Sequence, residues 1–235
     1  MKVLYRNSHI VTGEIVLLFN IVEKFYTISG EAPNAGAPVY LIRFTGCNLD
    51  CSYCDTEYKN EINYTLSFDD LVSDIQKAIH NYPSVSVLLT GGEPLLDDRQ
   101  EALIKLASVL FQTTFYIETN GAIKISDFTA QNVHYVVDWK TPSSGYGNSF
   151  FLNNLGSLRP GIDVIKIVTS LDDLSVVLKN IEIIKKVNPD LGVYLSPQWG
   201  KISFVELSSF IIDNKLPVSL SLQLHKIIWG EQRGV

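Results

Sequence analysis

Seven short apolar runs alternate with stretches of helical periodicity, and this alternation restricts the fold more than any other feature of the sequence. The runs are "PVYLIRF", "VSVLLT", "TFYIET", "VHYVVDWK", "DVIKIVT", "LGVYLSP" and "VSLSLQLHK", rich in β-branched and aromatic residues. Helical patterns lie at 67–82, with Ser67 as cap and Asp69 and Asp70 in the first turn, and at 97–111, 171–187 and 204–214. Strands joined through helices predict an α/β fold with a mostly parallel sheet and helices on its outside. With 46% hydrophobic residues and neither a low-complexity linker nor a solenoid-length repeat, a single domain spanning 1–235 is expected.

Each run is apolar through its body and turns polar at its C-terminal end: Thr90, Glu118, Asp138 with Lys140, Thr169, Ser196, then Gln223 with His225. In parallel α/β barrels these ends converge on one mouth, where the site sits. Side chains two apart on a strand share a face, so Asp138 and Lys140 should point together, as should Gln223 and His225. Strands also end in polar loops for no functional reason, but that would not preserve the parity of the pairs.

All three cysteines fall in "FTGCNLDCSYCDTEYKN", at Cys47, Cys51 and Cys54. The spacing C-x3-C-x2-C follows the first parallel strand directly, which places the loop at the same mouth. Three thiolates can hold three irons of a [4Fe–4S] cluster and leave the fourth open to an outside ligand. A zinc knuckle completed by a distant histidine, or three buried thiols without a metal, would also use three cysteines. The start "MKVLYRNSHIVTGE" lacks a secretory apolar segment, so a cytoplasmic location is expected, where thiols favour metal or redox chemistry over bridging. Apolar runs such as "IVLLF" are too short to span a bilayer. The net charge of −6, with scattered Lys and Arg, argues against nucleic acid as the main ligand.

The cysteine loop, with Tyr53 before the last cysteine, resembles the signature of radical S-adenosylmethionine enzymes. "LTGGEP" at Leu89–Pro94 is similar to that superfamily's second motif, a glycine-rich turn that receives the methionine amino group. Gly91 and Gly92 would let backbone approach a ligand closely. "CDT" at Cys54–Thr56, "GEAPNAGAPVYLIRFTGCNL", "VDWKTPSSG", "LSPQWG" and "QLHKIIWGEQRGV" together resemble the 7-carboxy-7-deazaguanine synthase family over nearly the whole chain.

The resemblance implies a reduced, incomplete TIM-like barrel and a carbon–nitrogen lyase. Its reaction turns 6-carboxy-5,6,7,8-tetrahydropterin into 7-carboxy-7-deazaguanine with loss of ammonia, on the route to queuosine and other 7-deazapurines. It further implies a [4Fe–4S] cluster, S-adenosylmethionine and Mg²⁺ as cofactors, a flavodoxin-type electron donor and a homodimer. Carried over by position, Cys47, Cys51 and Cys54 match the cluster ligands and Thr56 the magnesium ligand. Tyr53, Asp55, Gly92, Asp138, Trp139, Lys140, Ser196, Pro197, Gln198 and Trp199 match S-adenosylmethionine contacts. Ile28, Ser29, Gly30, Glu31, Arg43, Thr90 and His225 match substrate contacts, with Arg43 on the pterin carboxylate, where its planar fork suits that group. Glu118 and Asn120 are candidate cofactor neighbours.

Many members read Q-G-E-G where this chain has "SGEA", so Ser29 stands in place of a glutamine and Ala32 of a glycine; the shorter hydroxyl cannot reach as far, so one pterin contact is expected to pass through water or to move elsewhere. Residues 1–20 precede the family's usual start, and an added edge strand or a dimer arm is expected there. His9, His80 and His134 carry no site expectation. A glycyl-radical activase would share the cluster but needs an open groove for a peptide, and a zinc-stabilised binding module would share only the thiols.

Overall fold

Six of the seven apolar runs form strands in the computed structural model, which describes residues 8–11, 14–230 and 232–235. The chain runs β1 (Ser8–Val11), β2 (Glu14–Ile28), β3 (Pro38–Phe44), β4 (Tyr64–Ser67), α1 (Phe68–Asn81), β5 (Ser86–Gly91), α2 (Arg99–Val109) and β6 (Phe115–Thr119). It continues through β7 (Val133–Asp138), α3 (Asn154–Ser157), β8 (Val164–Thr169), α4 (Leu174–Val187), β9 (Gly192–Pro197), α5 (Phe204–Asp213), β10 (Ser219–Leu220) and α6 (Leu224–Trp229). Strands β3, β5, β6, β7, β8, β9 and β10 pair in parallel in that order, each crossover carrying the chain over the helical face. The long β2 adds antiparallel to β3, and β1 and β4 pair antiparallel with β2. β1 and β10 are the two ends of the sheet.

Period-two alternation divides each parallel strand between two environments. Ile42 and Phe44 of β3, Val87 and Leu89 of β5, Phe115 and Ile117 of β6, and Ile165 and Ile167 of β8 belong to one core. Val133, Tyr135 and Val137 of β7 join them. The helices complete this core with Leu71 and Ile75 of α1, Leu103 and Leu106 of α2, and Val177 and Ile181 of α4. Residues of the other parity, Val39 and Leu41 of β3 and Leu88 of β5, form a separate apolar layer on the opposite face, with Phe25 and Tyr116. That second face turns polar toward the strand C-termini, and the site lies there.

Helix α1 starts where expected: Ser67 accepts from the Asp70 amide while Asp70 accepts from the Ser67 amide. Leu71, Ile75 and Ala78 recur at helical spacing and are buried, each larger side chain contributing about 1.5–3 kcal/mol by leaving water. His80 lies in its last turn, His9 in β1 and His134 in β7 against the Tyr116 ring.

The run "VSLSLQLHK" departs from expectation. Only Ser219 and Leu220 pair with β9, and the chain then turns into α6. Gln223 and His225 therefore do not share a strand face; His225 is carried by the helix. β2 and β4 have no counterpart among the expected strands, whereas β1 is an edge strand before residue 20, as expected. Of that N-terminal stretch, residues 1–7, 12 and 13 lie outside the described residues.

Candidate active site

A cavity of about 750 Å³ opens on the polar face of the sheet. Strand parity explains its floor. Arg43, Thr90, Glu118, Asp138 and Lys166 all occupy the face opposite the helix-side core and line the cavity. Register places Arg43 beside Thr90 and Asp138 beside Lys166 on neighbouring strands. Lys140 lines the cavity with Asp138, as expected for residues two apart, and donates to Asp138 Oδ2 at 2.8 Å. Trp139 falls on the other parity. It stacks on Phe150 at 4.2 Å within the helix-side core, and only its backbone reaches toward the site, donating to the Lys166 carbonyl.

Cys47, Cys51 and Cys54 line the cavity as free, partly buried thiols. Their loop is held from three sides. Ser52 donates through backbone and hydroxyl to the carbonyls of Ser144 and Ser143, Lys59 ties Leu49 and Asp50, and Asn120 donates to Cys47 Sγ and Asn48. Burial pushes the Cys47 and Cys51 thiols up, so a cluster binding there displaces protons. The donor set fits a cubane, which takes one thiolate per iron, so three thiols serving it need not converge on a single point. Among the described residues no three His, Cys, Asp or Glu side chains form a single-ion cage.

The glycine turn after β5 serves this loop. A Cβ on Gly91 would stand 2.3 Å from the Phe44 carbonyl, and one on Gly92 would stand 2.0 Å from the Gly46 carbonyl. The close approach that requires glycine is thus to the backbone leading into the cysteines. Glu93 continues the clamp: its carboxylate accepts from the Leu95 and Asn120 amides and the Thr119 hydroxyl, and Arg99 donates to its carbonyl.

Also on the cavity lining, Arg43 donates from Nε to Glu23 Oε1 at 2.6 Å and from Nη1 to the buried Thr56 hydroxyl at 3.3 Å. Glu23 also accepts from the Tyr58 hydroxyl. Glu31 is buried; it ion-pairs with Lys166 and accepts from Gln223 Nε2 at 2.9 Å. Burial alone would raise the Glu31 carboxyl, but the Lys166 ammonium, with the Gln223 amide and His225, outweighs it and holds the pKa below the ordinary value. Glu118 has the opposite balance, since burial raises its pKa despite Lys166 and the Thr90 hydroxyl. Two neighbouring carboxylates are thereby pushed apart in proton affinity.

The residues after β10 close the cavity. The Leu224 amide donates to the Gly30 carbonyl, Thr27 donates to the Val235 carbonyl at 2.7 Å, and Arg233 stacks over the Tyr58 ring at 3.6 Å while pairing with Glu61. His225 packs so tightly on Gly30 that a Cβ there would lie 2.0 Å from its Nδ1. Burial lowers the His225 pKa, although Glu31 and Asp55 pull the other way.

Tyr53, Asp55, Thr56, Gly92, Gln198, Trp199, Ile28, Gly30 and Glu31 also line the cavity. Burial pushes the Tyr53 phenol up to about 12. Four expected residues stand outside the lining. Besides Trp139 these are Ser29, whose hydroxyl donates within its own turn to Asn34 and the Glu31 carbonyl, Ser196, which is fully buried, and Pro197. The Ser29 hydroxyl is therefore not directed at a pterin, with or without water. Sequence reasoning missed Glu23, Lys166 and Gln223's pairing with Glu31; the lysine in the middle of "DVIKIVT" was the available signal.

A cysteine triad beside a glycine clamp at the C-terminal ends of a parallel sheet defines a class, and the comparisons agree. Residues 41–150 match the model of the Radical SAM superfamily. The crystal structure of QueE from Escherichia coli superposes with a TM-score of 0.69 at 23% identity, covering 88% of this chain and 94% of that one, and has the same incomplete barrel fold. More specifically, a 7-carboxy-7-deazaguanine synthase from Clostridium acetobutylicum is 39% identical over 226 residues, covering 92% of this chain and 99% of the relative. One from Thermoplasma acidophilum is 32% identical with the same coverage. The chain belongs to the 7-carboxy-7-deazaguanine synthase family. Among the described residues no helix is long and apolar enough to cross a membrane.

Proposed function

We propose that this chain is a radical S-adenosylmethionine lyase that converts 6-carboxy-5,6,7,8-tetrahydropterin to 7-carboxy-7-deazaguanine with loss of ammonia. The observation that carries the reading is one cavity lined by three free thiols and by the Arg43–Thr56 pair, whose threonine stands two residues after the last cysteine, in a chain of this family. When bound, the cluster and S-adenosylmethionine supply the radical that opens the chemistry. Cys47, Cys51 and Cys54 would hold three irons and leave one for the cofactor, with Asp138 and Lys140 on the cofactor's side of the floor.

Arg43 would receive the pterin carboxylate, and Thr56 beside it would offer a hydroxyl to Mg²⁺, a hard cation that takes oxygen ligands. Glu31 and Gln223 offer acceptors to the pterin ring, and Gly30 and His225 cover it. A flavodoxin-type donor and a homodimeric assembly belong to the same reading.

Anaerobically reconstituted protein should be brown, carry about four irons and four sulfides per chain, and form the deazaguanine from the carboxypterin with S-adenosylmethionine and reductant. Cofactor cleavage without that product would overturn the lyase assignment while leaving the superfamily intact. Thr56→Ala should keep its iron and lose its response to magnesium; an unchanged response would remove Thr56 from that role.

A further inference from the structure

The floor of the cavity contains one ammonium to which no ligand contact has been assigned. Lys166 lies in the middle of β8, is 8% exposed, and lines the cavity. Its Nζ ion-pairs with Glu31 Oε2 and stands 3.5 Å from Asp138 Oδ2. The second relationship follows from register, because Asp138 and Lys166 are opposed across β7 and β8. The first crosses the fold, from the loop after β2 to the centre of the sheet. Each carboxylate has one further donor of its own: Gln223 for Glu31 and Lys140 for Asp138.

We propose that Lys166 is a positioning residue that couples the pterin and S-adenosylmethionine subsites by holding Glu31 and Asp138 on one ammonium, an inference that rests on the functional reading above. Two acceptors flank this bridge with no hydrogen-bond partner among the described residues, Gln223 Oε1 on the Glu31 side and Asp138 Oδ1 on the other, and both are buried. A buried acceptor without a donor is costly and is satisfied when a ligand brings one. A ligand that orders Asp138 fixes the shared ammonium, and so lowers the cost of ordering Glu31 for the second ligand. The same relation holds in reverse, because coupling between two binding events is reciprocal.

The experiment is the affinity of cluster-loaded protein for S-adenosylmethionine, measured without reductant, with and without saturating 6-carboxy-5,6,7,8-tetrahydropterin. The wild-type protein should bind the cofactor roughly five-fold or more tightly when the pterin is present. In Lys166→Met, with iron content unchanged, the ratio should fall to about one while each ligand alone still binds. Should Lys166→Met fail to fold, Lys166→Gln keeps a donor for Glu31 but cannot span both carboxylates, and its ratio should also fall to about one. A ratio in either folded variant equal to that of the wild type, or a wild-type ratio of one, overturns the coupling and leaves the functional reading standing. Wild-type protein that takes the cofactor but not the pterin overturns the functional reading, and the coupling with it.

Discussion

Glu23 and Arg43 are register partners on β2 and β3, and Arg43 Nε lies 2.6 Å from Glu23 Oε1. The pairing depends on an irregularity. Ile21 opposes Phe44 and Glu23 opposes Arg43, so β2 carries one extra residue, Val22, at a bulge. Without it Val22 would oppose Arg43, and the guanidinium would face a methyl group in a largely buried position. Glu23 occupies the Nε edge and leaves the Nη side turned toward Thr56. Glu23→Gln should raise KM for the carboxypterin about ten-fold or more, the scale of one charge-assisted hydrogen bond. The change in kcat should be small. Steady-state kinetics on iron-replete protein checks this, and an unchanged KM would show that Arg43 needs no such support.

The contact between Gly30 and His225 predicts a specific non-additivity. Gly30→Ala places a methyl where the imidazole stands, and the ring, on a six-residue helix, has to swing out. The variant should fold and should raise KM by about the same factor as His225→Ala, on the order of ten-fold. The double variant should be no worse than either single one, because both act through the same ring. Additive losses would mean that Gly30 acts independently of His225.

Glu93 is fully buried, and its carboxylate is the acceptor for two amides and a hydroxyl that join the glycine turn to the end of β6. Glu93→Ala leaves these donors without a partner and should cost on the order of 3 kcal/mol. In a chain of this size that corresponds to a fall in Tm of roughly 6–12 °C. Thermal unfolding of the apo-protein measures it, and a fall of a degree or less would exclude the clamp.

The Glu31–Lys166 pair gives a pH dependence with a definite sign. Glu31 has its pKa lowered from 4.5 by the ammonium and Gln223 against the opposing effect of burial, with Asp138, Glu118 and His225 as the other titratable groups around the pair. A depressed carboxyl stabilises the fold above its unfolded pKa and ceases to do so as pH falls through the folded value. Lys166 is raised above 10.5, so its side of the pair is in place until strongly alkaline pH. The Tm difference between wild type and Glu31→Gln should be constant from neutral pH to about pH 5 and narrow below it. A difference independent of pH down to about 3 would mean that the Glu31 pKa is the same folded and unfolded, and one that moves in favour of the wild type as pH falls would mean that the carboxyl is neutral in the fold.

The parallel strands were legible because burial on both faces demands continuous apolar runs, and their polar ends marked the site. Asp138, Lys140, Thr90 and Glu118 followed from that alone, and the cysteines from spacing. The strand-like alternation of "VSLSLQLHK" puts Gln223 and His225 on the wrong element, because its pairing is limited to two residues and the remainder is turned by contacts with Gly30 and Glu31. Those contacts join the two ends of the chain and leave no local trace. Glu23 was hidden by the bulge, which breaks the alternation that would have revealed it, and Ser29 by a hydrogen bond to Asn34 within its own turn.

The wall that joins residues 223–235 to residues 23–31 has a kinetic consequence. The helix caps close over three residues and the cysteine loop is tied across 73 and 91, whereas this wall closes loops of 192 and 208 residues, and such contacts carry the largest entropic penalty in a folding chain. The pocket is accordingly expected to become native late and to open early. A ligand lodged in it would hold together the two most distant parts of the polypeptide, and amide exchange in α6 is where that protection would register.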